Sequence, residues 1–189
     1  MQLSKLSRVL IIASSLWYFG EGLFGPLFAV YAEKIGGDIL DITWAWAAYL
    51  IVTGVCYVLF GNLVNNSKYK KQVMIAGYAL NALFTFAYLF VYNTKTLLLV
   101  QIGLGIAEAM STPIWDSLFA SNLEDTENTY HWGLASGHPH VISGIAIAIG
   151  GLIANYFSFN TLFIFMGCIQ LLATIVQYRV LKISERENK

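Results

Sequence analysis

Apolar positions in this chain fall in long unbroken runs, separated by short polar breaks. Six runs, at 8–31, 44–64, 73–92, 96–121, 133–156 and 160–181, fill most of the 189 residues. A surface helix of a soluble protein would interrupt such a run with a polar face every three or four positions. Crossing a hydrocarbon core about 30 Å thick takes roughly 20 residues of helix at a rise of 1.5 Å per residue. The pattern therefore predicts an all-α polytopic membrane protein with six transmembrane helices, forming a single domain over 1–189. The first run follows Lys5 and Arg8 as a signal peptide would, but it lacks a small-residue cleavage site and continues past Glu21, so it reads as a retained span.

Composition agrees: 57 % of residues are hydrophobic and 12 % charged, where a soluble domain is about a quarter charged. The net charge of zero carries less information than its distribution. With both termini inside, Lys5, Arg8, Lys68, Lys70, Lys71, Arg179, Lys182, Arg186 and Lys189 are cytoplasmic, and only Lys34 and Lys95 fall outside. That excess of inner lysine and arginine predicts cytoplasmic termini in an inner or plasma membrane. The acidic connection at 124–127 reads as a solvated loop. Cys56 and Cys168 lie in different spans and read as small apolar fillers. No phosphate-binding glycine loop, nucleophile triad or metal cluster is present, so neither an enzyme, a cofactor nor a nucleic-acid partner is expected.

The candidate chemistry is intramembrane. A carboxylate at the centre of a span costs roughly 2.5–3.5 kcal/mol on insertion scales and by default marks function. Glu21 and Glu108 both fall near the midplane, while Asp116, His138 and His140 lie about 8–13 Å toward the cytoplasm by helical rise. The first, fourth and fifth spans thus hold all of these groups, which predicts a cavity lined mainly by those three helices. Gln101, Glu108 and Trp115 recur every seven residues on one face of the fourth span, with Asp116 about 80° away. Trp17, Glu21, Phe24 and Phe28 share a face of the first. Glu21, Glu108, Gln101, Trp17 and Trp115 are therefore the candidate proton and substrate site. Asp116, His138 and His140 form a candidate gating or structural layer, with a His–Asp116 contact between the fifth and fourth spans. His138 and His140 point about 160° apart on a helix, which disfavours a shared metal.

Three segments resemble signatures of the major facilitator superfamily. Gly61-Asn62-Leu63-Val64-Asn65-Asn66-Ser67-Lys68-Tyr69-Lys70-Lys71 resembles the Gly-x-Leu-Ala-Asp-Arg-x-Gly-Arg-Arg loop after the family's second helix. Asn65, Asn66 and Lys68 stand where that signature has Asp, Arg and Gly. The fourth span opens Leu97-x-x-x-Gln101-x-x-x-Gly105-x-x-x-Ala109, similar to Leu-x-x-x-Arg-x-x-x-Gly-x-x-x-Ala with Gln101 in place of the arginine. The run Gly150-Gly151-Leu152-Ile153-Ala154-Asn155-Tyr156-Phe157-Ser158-Phe159 resembles the end of the family's fifth helix.

The resemblance implies a six-helix, major-facilitator-like half bundle. Full members have twelve helices in two parallel halves related by an axis along the membrane normal. A second copy of this chain would rebuild that plan as a two-fold dimer. The resemblance places helices 2 and 5 against the opposite half, and small residues there permit close packing. Ala47, Gly54 and Gly61 on the second span, and Gly137, Gly144 and Gly151 on the fifth, are the expected interface. The expected function is secondary active transport of a small neutral or cationic solute by alternating access, coupled to protons through Glu21 and Glu108. The alternatives are one half of a heterodimeric transporter, a half cut from a longer chain (which the hydrophilic 184–189 tail disfavours), or a non-transporting scaffold or receptor subunit whose carboxylates only hold helices together.

Overall fold

A computed structural model of the chain describes residues 4–122 and 128–187. The acidic connection at 124–127 lies outside the described residues, as do the last two positions of the tail. The described residues form helices and no strand. The first predicted span is two helices, α1 (Lys5–Gly22) and α2 (Leu27–Lys34). The other five are α3 (Ile39–Val64), α4 (Lys70–Ala87, extended by a 3₁₀ turn at Tyr88–Phe90), α5 (Thr94–Ala120), α6 (Asn128–Tyr156) and α7 (Phe159–Glu187).

The continuous first span expected from hydropathy is broken by 44°. Pro26 brings no N–H to the helical ladder and disfavours helical geometry at Gly25 before it. The Glu21 carbonyl instead accepts from Phe24 N–H at 3.2 Å and Gly25 N–H at 3.3 Å, closing the turn just past the carboxylate. At the far end of α2, Gly36 adopts φ +90°, a left-handed backbone that ends the helix.

Helix starts carry the chemistry expected of them. Asp38 and Asp41 form a reciprocal capping box on α3, and Asn93 and Thr96 form another on α5. These caps satisfy backbone donors at membrane-helix ends, where water does so incompletely.

The helices pack as an arc in the order α3, α5, α4, α7, α1, α6. Two apolar cores fill it. One, near the termini, joins Leu10, Trp17, Met74, Tyr78, Trp115 and Phe119. The other, at the opposite end, joins Phe24, Phe28, Tyr31, Tyr88 and Phe163, whose rings meet largely edge to face. Helices α3 and α6 end the arc. Only 11 % of the apolar stretch of each is buried, against 50 % for α5.

Candidate functional site

Two cavities open on the concave side of the arc. The larger, of 670 Å³, lies toward the termini between α1, α5 and α6, with Tyr78 of α4 at its edge. It brings together Trp17, Trp115, Asp116, His138 and His140. The smaller, of 90 Å³, contains Glu21 and Gln101 with Phe24, Phe28, Tyr49 and Asn81. The face expected to join Trp17, Glu21, Phe24 and Phe28 is therefore split between the two, because the backbone turns after Gly22.

Glu108 is held by α3. Its carboxyl accepts from the Tyr57 hydroxyl at 2.7 Å and from the Tyr49 hydroxyl. Between those tyrosines, Thr53 faces Gly105, where a Cβ would lie 2.9 Å from the Tyr49 carbonyl oxygen. The glycine lets α3 approach α5 closely enough for both phenols to reach one carboxylate. Sequence reasoning passed over Tyr49 and Tyr57 because the second span is uncharged. The missed signal is a polar stripe, Tyr49, Thr53 and Tyr57, one helical turn apart.

Glu21 is half-buried, near the Trp17 indole, the Asn81 amide and the Glu108 carboxyl. Asn81 is fully buried, and neither its Oδ1 nor its Nδ2 closes a hydrogen bond with a protein group. The third span carries no ionisable side chain, so this amide also escaped the sequence reading. Tyr18 lines the larger cavity.

Gln101 is buried and accepts from the Tyr88 hydroxyl at 2.9 Å. Trp115 donates its indole N–H to the Leu10 carbonyl at 3.1 Å and stacks on Phe119 at 5.0 Å. Trp17 meets Tyr78 edge to face at 4.6 Å.

The expected His–Asp116 contact is not made. His138 turns to α1, where its Nε2 lies 3.1 Å from Ser14 Oγ, and its Nδ1 donates to the Leu134 carbonyl at 2.9 Å. His140 Nδ1 donates to the Ser136 carbonyl at 2.8 Å. Asp116 is exposed to the cavity and has no hydrogen bond or ion pair among the described residues. Among the described residues no three His, Cys, Asp or Glu side chains gather as a metal site. Cys168 faces outward on α7 and is not a core filler.

On the arc's ends, Gly54 and Gly61 of α3 and Gly137, Gly144 and Gly151 of α6 have no atom within 4 Å of where a Cβ would stand. Ala47, in line with the first pair, is half-buried.

The sequence model of the Major Facilitator Superfamily matches residues 10–189. The chain belongs to this superfamily. With its long apolar helices, it is accordingly an integral, multi-pass membrane protein with the half-bundle architecture of the superfamily. It is 26 % identical over 181 residues to an uncharacterized MFS-type transporter of Methanocaldococcus jannaschii, covering 96 % of this chain and 47 % of that protein. It is 26 % identical over 155 residues to the proton-coupled antiporter flippase LtaA of Staphylococcus haemolyticus, covering 79 % of this chain and 39 % of the flippase. With LtaA of Staphylococcus saprophyticus the identity is 23 % over 154 residues, with the same coverage. The chain spans less than half the length of these curated relatives.

Proposed function

We propose that the chain is one half of a secondary active transporter, not an enzyme, and works by alternating access as a parallel homodimer. One observation carries this reading: the membrane-depth carboxyl of Glu21 lines the smaller cavity with Tyr49, which also holds the carboxyl of Glu108. Proton coupling through this pair fits the default role of intramembrane acids. That relatives include proton-coupled antiporter flippases supports coupling for this chain as well. The site comprises Glu21, Glu108, Gln101, Trp17 and Trp115, with Asp116, His138 and His140 as the polar layer beside it. The lysine and arginine distribution supports cytoplasmic termini, so the larger cavity would open to the cytoplasm.

The dimer reading rests on the least-buried helices, α3 and α6, at opposite ends of the arc. A two-fold axis along the membrane normal would set α3 of one copy against α6 of the other and close the wall. A different half encoded elsewhere would satisfy the same geometry. The mass of the detergent-corrected complex separates these cases, together with a Gly54→Cys, Gly144→Cys crosslink in a chain lacking Cys56 and Cys168. A crosslinked dimer is expected, whereas a monomer in several lipids would refute it. For transport, proteoliposomes loaded with a pH dye should show solute-evoked proton movement that Glu21→Gln abolishes. A scaffold would show no such movement, and the variant would disturb assembly instead.

A further inference from the structure

We propose that the larger cavity binds a monovalent organic cation, with Asp116 as its counter-charge and aromatic ring faces as its walls. The inference rests on the transporter reading only in treating that ligand as the cargo.

The charge balance comes first. Asp116 is the only Asp, Glu, Lys or Arg lining the cavity among the described residues, and it has no partner there. An unneutralised carboxylate at membrane depth, facing apolar walls, favours a cation beside it. An anion would meet this carboxylate and no lysine or arginine on the walls. Both histidines donate Nδ1–H to backbone carbonyls of their own helix.

Wall chemistry then sets the kind of cation. Trp17, Tyr18, Trp115 and Trp132 line the space, and the Trp115 N–H is already spent on Leu10. What that residue can offer a ligand is its ring, which attracts a diffuse cation through its quadrupole. Three of the wall hydroxyls are similarly committed. Ser14 bonds the Ile11 carbonyl at 3.0 Å, Ser111 the Ala107 carbonyl at 3.0 Å, and Ser143 the Tyr18 carbonyl at 3.4 Å. A hard metal ion requires several converging oxygens, and no such cluster exists among the described residues. A soft cation with an apolar body satisfies both constraints, and 670 Å³ is room for a drug-sized one.

The test uses the full chain in lipid nanodiscs and radiolabelled tetraphenylphosphonium, with binding to empty nanodiscs subtracted. Saturable binding is expected, displaced by benzyltrimethylammonium but not by its neutral isostere neopentylbenzene or by benzenesulfonate. Asp116→Asn should weaken it by about tenfold or more while Asp116→Glu retains most of it, and Trp132→Leu should weaken it several-fold. Complex mass and thermal unfolding of Asp116→Asn check that the variant is folded. Absence of saturable binding, equal displacement by the neutral or anionic compound, or unchanged affinity in folded Asp116→Asn would overturn the proposal. Cation binding without gradient-driven flux would instead sink the transporter reading and leave this site standing.

Discussion

The clamp of Tyr49 and Tyr57 on Glu108 makes a quantitative statement about how α3 and α5 hold together. A hydrogen bond contributes about 0.5–1.5 kcal/mol net between neutral groups and about 1.5–3 kcal/mol to a charged one. Interhelical polar pairs in membranes average about 0.6 kcal/mol and reach about 1.7 kcal/mol. Tyr57→Phe, which deletes the 2.7 Å bond, should therefore cost about 1 kcal/mol. The double change Tyr49→Phe, Tyr57→Phe should cost more than the two singles together. The first deletion leaves Glu108 one donor, but the second leaves the carboxyl with none, and an orphaned buried group adds about 1–3 kcal/mol. In a Glu108→Leu background the same tyrosine changes should cost nothing or stabilise, since the phenols then lack their acceptor. The assay is the unfolding free energy in mixed micelles by steric trapping, run as a double-mutant cycle. If Tyr57→Phe costs the same with and without Glu108, the hydrogen bond is not what couples the helices, and the reasoning fails.

Glu21→Gln should leave unfolding free energy within about 1 kcal/mol of the parent, because no interhelical hydrogen bond is lost, while removing solute-evoked proton movement; a large stability loss would count against its functional role. Asn81→Leu should raise thermal stability by removing two buried unpartnered atoms, yet impair proton movement through the neighbouring Glu21; a lowered melting temperature with normal flux would contradict this. Gly54→Leu meets open space and should spare helix content and monomer unfolding but reduce the dimer fraction in sedimentation, whereas Gly105→Leu, whose Cβ would lie 2.9 Å from the Tyr49 carbonyl oxygen, should cost about 1–3 kcal/mol or more in unfolding.

The helical type and approximate length of the spans were legible because hydrocarbon thickness acts directly on run length, but not the division of the first into two helices. The three signatures carried the family, since they fall in order at the end of α3, the start of α5 and the end of α6. The carboxylates were legible for a related reason: a charge in an apolar run is conspicuous whatever surrounds it. The neighbours of those charges were not. Tyr49, Tyr57 and Asn81 are common enough in membrane helices to pass as packing or interfacial residues, and their roles depend on helix rotations that hydropathy does not encode. The split of the Trp17–Phe28 face was hidden because helical projection assumes a straight axis. Pro26 and the glycines at 20, 22 and 25 all stood in the sequence as warnings that the axis bends. The His138 contact failed for a third reason. Proximity in depth between Asp116 and His138 says nothing of which neighbouring helix the imidazole faces, and α1 lies closer to α6 than α5 does.

The break after Gly22 makes the first membrane crossing a joint between two separately packed bodies. Below it, α1 is seated in the core near the termini and against α6 and α7; above it, α2 is seated in the other core and touches α3. Glu21 occupies the joint itself, its own carbonyl closing the turn. A tilt of one body against the other is therefore delivered as torsion to the backbone that carries this carboxylate. The side chain would be re-aimed without changing rotamer, as a valve seat turns with its shaft. A straight helix would spread the same strain over every turn, whereas this chain concentrates it at one residue, a carboxylate in the middle of the crossing.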